Sequence, residues 1–330
     1  MSYHANFHQK IAAHNETRAN RRVTDAHLHI VDFIQETDGL QRLLQAMDAG
    51  NIGKAVIFGL PVKKKWEAFE KKPPHYYLDD NSPCYYFHQT DEILAREMER
   101  LPEKAQKRFA PLICGFNPTD KYAVRDIERM LDRYPFWRGV GEVLCRHDDL
   151  TNLTKEETAR VNHPALFDIY ELCAAKKLPV LIHQNSTSVS IHDDYEHLHE
   201  LEEILEKFPQ TQIVWAHCGM SRRVFHKNYH EMVVSLFAKY PNLTADISWI
   251  VYDEIICLNL EPKKHWLDVI NSQPEKFTIG SDLCGHFDNL GKTMARYNGL
   301  FKKLAPRAQK LIAWKNAENL WFREQTEDRR

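Results

Sequence analysis

The sequence predicts a (β/α)8 TIM barrel, an α/β fold in a single domain with long loops after some of its strands. Short apolar runs typical of buried strands alternate with stretches of helical spacing, and eight such pairs follow one another along 330 residues. No Gly-x-Gly-x-x-Gly motif or P-loop follows a strand, so an open nucleotide-binding sheet would lack its phosphate-binding turn. A closed parallel barrel therefore explains the pattern better than an open sheet.

The elements of the predicted barrel follow in order along the chain. Residues 1–22 are polar without clear periodicity and are predicted to form an extension ahead of a barrel domain at 23–330. The apolar runs predict strands at about residues 23–27, 54–58, 109–114, 138–144, 178–182, 211–216, 243–247 and 277–281. The amphipathic stretches predict helices near residues 38–50, 89–101, 119–133, 164–177, 195–207, 221–239, 262–272 and 288–304.

A last helical stretch begins at Pro306 and carries an apolar stripe with Trp314, Trp321 and Phe322. Packing of this stripe against the barrel is the simpler interpretation, and a contact in a homo-oligomer is the alternative.

Two long loops interrupt the alternation, at residues 61–88 and 145–162. The first contains Lys63-Lys64-Lys65, Pro73-Pro74 and a dense set of tyrosine, phenylalanine and tryptophan side chains. Connections of this length are usually functional lids or disordered linkers, and the number of aromatic residues favours an ordered lid. We therefore predict that the first loop closes over the end of the barrel that carries the active site.

Composition restricts the partners of the protein. The chain has 44 basic and 46 acidic residues and a formal charge of -2, so no net field attracts nucleic acid or an anionic membrane. A small-molecule substrate is the expected partner. No apolar run of about 18 residues is present and the N-terminus lacks the apolar core of a signal peptide, which predicts a cytoplasmic protein. The seven cysteines stand singly and are predicted to be reduced thiols.

Metal-ligand chemistry is concentrated where the predicted strands end. His27 and His29 are two residues apart on the first strand, so both side chains point to the same face and form a chelating pair. A lone His-x-His is a weak signal, but four other strands end in side chains of the same chemistry, namely Glu142, His183, His217 and Asp282. In such barrels the carboxyl ends of the strands form the active rim. Imidazole and carboxylate ligands suit zinc, manganese or iron; zinc is the commonest of these.

These motifs resemble the amidohydrolase superfamily of metal-dependent barrel hydrolases. The resemblance lies in Asp-Ala-His27-Leu-His29, Gly-Glu142-Val, Ile-His183, Ala-His217-Cys-Gly and Gly-Ser-Asp282, and it spans about residues 23–322. The forms are most similar to the second subfamily, which contains lactonases, hydratases and aromatic-acid decarboxylases. The resemblance implies that His27, His29 and Asp282 bind one divalent metal with His183 as a further ligand. It also implies that His217 binds a second metal or contacts the substrate.

The number of metal ions depends on Glu142. Superfamily members with two metals use a bridging lysine carbamate or a glutamate at the fourth strand, and Glu142 resembles the glutamate version. His183 and His217 would then serve the second metal. The decarboxylases with one metal do not need this bridge, and Glu142 would alternatively be an inward carboxylate paired with Arg146 or Arg138.

The expected function is hydrolysis of an ester, lactone, amide or related bond in a small anionic substrate, with metal-activated water. Asp282 is the predicted proton carrier, and His217 would stabilise the developing oxyanion if it is not a ligand. Arg146 and Arg222 follow the fourth and sixth strands and are predicted to bind the anionic group. A decarboxylase or hydratase of a carboxylic acid is the alternative on the same scaffold, and a barrel that only binds a ligand is a third.

Overall fold

Eight parallel strands surround a common axis in the computed structural model, which describes residues 23–65, 78, 82–155, 157–191 and 194–323. They are β1 Val23–His29, β2 Ile52–Phe58, β3 Phe109–Ile113, β4 Gly139–Cys145, β5 Val180–Gln184, β6 Ile213–Trp215, β7 Leu243–Asp246 and β8 Phe277–Thr278. Each strand pairs in parallel with the next one along the chain. The predicted barrel class and all eight predicted strands are confirmed.

The chain directly after β8 closes the barrel against β1. The backbone N–H of Ala26 donates to Ile279 O at 2.8 Å, and that of Asp282 donates to His27 O at 2.8 Å. Gly280 permits this close approach, because a Cβ atom at this position would lie 2.5 Å from His27 Cβ and 2.8 Å from His27 N. Closure therefore places Asp282 beside the chelating pair of β1.

We expect Gly280→Ala to lower the free energy of unfolding by about 1–3 kcal/mol, because the new methyl group would overlap the backbone of β1. Denaturant unfolding of the metal-free protein, monitored by circular dichroism, measures the change. Equal unfolding midpoints in the variant and the wild type would contradict the close packing at this joint.

The helices lie between the strands and after β8, and the longer ones bury an apolar face. They are α1 Leu40–Ala49, α2 Thr90–Glu99, α3 Glu103–Gln106, α4 Ala123–Arg133, α5 Phe167–Lys176, α6 Leu198–Lys207, α7 Tyr229–Lys239, α8 Lys264–Ser272, α9 Leu290–Met294, α10 Asn298–Lys303, α11 Pro306–Lys310 and α12 Asn316–Trp321. In α1, Leu40, Leu43 and Met47 recur at helical spacing and are buried, and Gly50 follows as the C-cap. Helical spacing in the sequence thus identified the face that packs on the barrel.

Two predicted helices differ from the observed ones. The helix predicted to begin near residue 221 begins at Tyr229, because residues 221–228 form a loop whose side chains contact other loops of the rim. The helix predicted at 288–304 consists of α9 and α10, with a 3₁₀ turn at Ala295–Tyr297 between them.

The C-terminal helix packs against the barrel as predicted. Trp321 of α12 is buried in an apolar cluster with side chains from β1, β2, β3, β5 and β6, and Leu320 and Phe322 pack on this cluster. Trp314 is half-buried and packs on the main core. Core packing therefore accounts for the apolar stripe, and the homo-oligomer stays a prediction.

The predicted lid is described only in part. Residues 66–77 and 79–81 lie outside the described residues, as does the predicted extension at 1–22. The described ends of the loop form an antiparallel pair, Val62–Lys64 with Cys84–Tyr86, and Leu78 is buried. All seven cysteines are free thiols. None of the helices in the described ranges is long and apolar enough to cross a membrane.

Candidate metal centre

The barrel brings all six predicted ligands together around the carboxylate of Glu142. Its Oε1 lies 3.3 Å from His183 Nδ1 and 3.7 Å from Nε2 of both His27 and His217. Its Oε2 lies 3.4 Å from His29 Nε2. Residues as far apart in the chain as His27 and Asp282 therefore meet, because each lies toward the carboxyl end of its strand or shortly after it.

Asp282 completes the cluster on the side of the cavity. Its Oδ1 lies 3.3 Å from Nε2 of both His27 and His29, and its Oδ2 lies 3.9 Å from His217 Nε2. The backbone of Asp282 is left-handed with φ 55°, as is that of His217, so the chain turns sharply at both positions. The Asp282 side chain remains 11% exposed and therefore reaches solvent in the cavity.

The ligand atoms form two clusters that share Glu142. One consists of His27, His29 and Glu142, and the other of Glu142, His183 and His217, with donor atoms within 4.8 Å of one another in each. Two further clusters join His29 and Asp282 to Cys284, and His27 and His217 to Asp246; the sequence reasoning selected neither Cys284 nor Asp246.

All four imidazoles are held by a hydrogen bond to one ring nitrogen, so that the other ring nitrogen faces the centre. His29 Nδ1 donates to Gly59 O at 2.8 Å, and His183 Nε2 donates to Asn185 Oδ1 at 3.0 Å. The Asn185 amide is oriented by its own Nδ2, which donates to Asp148 Oδ2 at 2.9 Å. His217 Nδ1 lies 2.9 Å from Ser248 Oγ, whose hydroxyl donates to Asp246. Outer hydrogen bonds of this kind are typical of metal-binding histidines.

His27 gives the clearest indication that a cation belongs in the site. Its Nδ1 lies 3.0 Å from Asp246 Oδ2, whereas its Nε2 is buried and has no hydrogen-bond partner among the described residues. A buried nitrogen without a partner is costly unless something binds it. The donor set of imidazole nitrogens and carboxylate oxygens fits a divalent metal of the zinc, manganese or iron type.

The electrostatics of the cluster agree with this interpretation. Burial alone would raise the pKa of Glu142, but His27 and the hydrogen bonds from His183 and His29 hold this pKa well below its usual range. Burial would likewise lower the pKa of His29, but Asp282 and Glu142 raise it to about 9. The carboxylates thus remain ionised and stabilise positive charge in the centre, whether it is carried by protons or by metal.

Asp246 is a functional residue that the sequence reasoning missed. Besides its contact with His27, its Oδ1 accepts from the backbone N–H of His217 at 3.2 Å and of Ser248 at 2.9 Å. The carboxylate therefore orients two predicted ligands at once. The signal was present in the sequence, because Asp246 ends β7 in the same way that the other site residues end their strands.

We expect Asp246→Asn to weaken metal affinity by about 10–100-fold, because the amide cannot replace the carboxylate toward both histidines. Competition with a fluorescent chelator measures the affinity. Asp38→Asn is the matched control, since Asp38 pairs with His286, which lies outside the ligand clusters, and this variant should bind metal as the wild type does. Equal affinities in both variants would contradict the orienting role of Asp246.

The two arginines predicted to bind substrate are engaged in ion pairs. Arg146 Nε lies 3.1 and 3.0 Å from the carboxylate oxygens of Glu200, and Arg222 Nε lies 2.7 Å from Asp149 Oδ2. Neither side chain is among those that line the central cavity. Their role in substrate binding stays a prediction. Arg146 also does not pair with Glu142, so the alternative of a structural Glu142–Arg146 pair is not observed.

A cavity of about 400 Å³ opens over the predicted ligands. Leu60, Leu78, Leu150 and Trp249 contribute apolar walls, and Asp32, Glu36 and His286 are ionisable groups beyond the ligand set. His147 also lines it, and burial together with the neighbouring His183 lowers its pKa well below the usual range. The size and lining are those of a site for a small molecule.

The barrel and its side chains define a (β/α)8 protein with a cluster of imidazoles and carboxylates that could hold a metal ion, at the carboxyl ends of the strands. The chain belongs to the amidohydrolase family, whose model matches residues 24–323. The resemblance found in the strand-end motifs is thereby confirmed.

Several solved structures share the fold. An amidohydrolase from Burkholderia multivorans with bound zinc is 12% identical with a TM-score of 0.56, over 92% of this chain and 100% of that one. A putative 2-pyrone-4,6-dicarboxylic acid hydrolase from Pseudomonas putida is 13% identical with a TM-score of 0.55, over 91% and 97%. A dihydroorotase from Campylobacter jejuni is 17% identical with a TM-score of 0.52, over 93% and 85%. The comparison with curated proteins finds no match.

Proposed function

We propose that the protein is a metal-dependent hydrolase that uses two divalent ions to cleave an ester, lactone or amide bond of a small molecule. Zinc is the first candidate for both ions. The observation that carries the proposal is the position of Glu142, which belongs to both ligand clusters. A carboxylate shared by two clusters is the arrangement that a bridge between two ions requires. Membership of the amidohydrolase family supports the same reaction class.

The residues divide into two ligand sets and a proton carrier. His27, His29 and Asp282 would hold one ion and His183 and His217 the other, with Glu142 between them. Ions held there would polarise the carbonyl group of the substrate and favour deprotonation of a water molecule. Burial opposes the ionisation of Asp282, but the charges of His27 and His217 and the hydrogen bond from His29 lower its pKa, so the carboxylate is ionised. An ionised carboxylate beside a reacting water molecule can accept its proton. From its place in the cavity wall Asp282 can then pass that proton to the leaving group.

The cavity favours a neutral or cationic group in the part of the substrate that lies away from the metal centre. Asp32 is buried in the wall, and its Oδ1 accepts from the backbone N–H groups of Ile34 and Glu36, both at 2.9 Å. Its Oδ2 faces His286 Nε2 at 3.7 Å. The carboxylates of Asp32 and Glu36 would repel an anion, which argues against the anionic substrate that we predicted from Arg146 and Arg222.

Metal content and a substrate panel test the proposal together. We expect nearly two ions per chain in the wild type, measured by inductively coupled plasma mass spectrometry, and loss of at least one ion in Glu142→Ala. Glu36→Ala is the matched control and should retain both ions, because Glu36 lies in the cavity wall outside the ligand clusters. The panel should contain neutral lactones, aryl esters and amides beside aromatic carboxylic acids.

Two results would contradict the hydrolase. One ion per chain, retained in full in Glu142→Ala, would show that Glu142 does not bridge two ions. Release of CO₂ from the carboxylic acids, without hydrolysis of the lactones, esters and amides, would favour the decarboxylase alternative.

A further inference from the structure

His147 lies beside the predicted metal centre but outside its ligand clusters. It follows β4 by two residues, is 6% exposed and lines the cavity. Its ring stacks on that of His183, with centroids 4.4 Å apart and planes inclined by 30°. The backbone is held by a tight turn, in which the N–H of His147 donates to Thr151 Oγ1 at 3.1 Å and its carbonyl accepts from Asn152 N at 3.0 Å. The ring is therefore presented to the cavity in a fixed orientation.

The hydrogen bond to Nδ1 determines where the proton of His147 lies. The backbone N–H of Asp149 donates to His147 Nδ1 at 3.1 Å. A backbone N–H can only donate, so Nδ1 uses its lone pair and the neutral ring carries its proton on Nε2. Among the residues that the structure describes, none accepts a hydrogen bond from this Nε2–H. His147 thus offers a donor, whereas His29 and His183 turn a lone pair toward the centre.

We propose that His147 is a catalytic hydrogen-bond donor, whose Nε2–H binds the carbonyl oxygen of the bond to be cleaved and stabilises the negative charge that develops on it. This inference rests on the proposed hydrolase function. From the sequence, we predicted that His217 would stabilise the developing oxyanion if it is not a metal ligand. Because His217 Nδ1 is bonded to Ser248 and its Nε2 faces Glu142, His217 belongs to the ligand set and the donor role falls to His147.

Two substitutions of His147 distinguish the role of its Nε2–H as a donor from the role of its Nδ1 as an acceptor. The side-chain oxygen of asparagine can replace Nδ1 as acceptor for Asp149 N, whereas the side-chain nitrogen of glutamine can replace Nε2 as donor. With the fastest ester, lactone or amide of the panel, we expect His147→Asn to lower kcat by about 100–1,000-fold, the usual effect of losing one oxyanion donor. KM and metal content should change little. His147→Gln should retain most of the activity.

The opposite order, with His147→Asn active and His147→Gln inactive, would show that only the turn at Asp149 matters and would overturn the role. Unchanged kcat in both variants would do the same. Absence of hydrolysis by the wild type across the panel would instead overturn the proposed function and, with it, this role, so the two failures are distinguishable.

A second measurement does not depend on turnover. Long-range ¹H–¹⁵N spectra of the metal-loaded protein, labelled with ¹⁵N-histidine, report which ring nitrogen is protonated. The His147 signals are those missing from His147→Asn. We expect the Nε2–H tautomer at neutral pH, and a proton on Nδ1 would overturn the inference.

Discussion

Asp282→Asn is expected to lower turnover by about a thousandfold or more at full metal occupancy, as general-base removal alone costs about 100–10,000-fold. Asparagine has nearly the same shape but is a poor base. Because the Asp282 side chain reaches the cavity while its Oδ1 lies 3.3 Å from Nε2 of both His27 and His29, it is placed to contact a reacting water molecule and the ligand cluster together. The rate should be measured with the fastest substrate of the panel.

Metal content must be determined in the same samples, because asparagine is also a weaker ligand than aspartate. Asp38→Asn is the matched control, since Asp38 is a carboxylate that neither lines the cavity nor belongs to a ligand cluster. It should keep kcat near the wild-type value. If fully metallated Asp282→Asn retains turnover within about tenfold, a difference of roughly 1.4 kcal/mol, then Asp282 is not the proton carrier.

The double substitution His27→Ala with His29→Ala is expected to abolish both metal binding and activity. The pair contributes two of the donor atoms around Glu142. His27 Nε2 has no hydrogen-bond partner among the described residues, so it is available to bind a cation. Metal content after dialysis against buffer with micromolar zinc measures the loss. A variant that retains full occupancy would exclude this strand as part of the centre.

The double variant is also expected to be less stable than the wild type. Both rings lie inside the barrel, with His27 fully buried, and both contact the ring of Phe58 with centroids 4.9 and 4.6 Å apart. Alanine therefore leaves a cavity that lowers stability by about 2–5 kcal/mol for each large side chain removed from a core. Metal-free wild type is the proper comparison for folding. A second control, His265→Ala with His286→Ala, removes two histidines outside the ligand clusters and should leave occupancy unchanged.

Periodicity and position were enough to predict the fold class, which is confirmed, and to select the candidate ligands that the structure brings together. A strand that is buried on both faces reads as a continuous apolar run, so β2, β3 and β5 were visible without any tertiary information. Parallel strands of a barrel end at one rim, so a polar residue at the end of each run had to lie near the others. For this reason the sequence determined that His27, Glu142 and Asp282 meet, although they are far apart in the chain.

Only the tertiary structure decided which side chains surround and orient that centre. Arg146 follows the same rim but pairs with Glu200 of α6, and Asp246 contacts His27 across the barrel. The role of His147 depends on a hydrogen bond from Asp149 within one tight turn. The reason is physical, because the alternation of side chains along a strand fixes the face of the sheet on which each residue lies. Hydrogen-bond partners depend instead on loop conformation and on packing between elements distant in sequence.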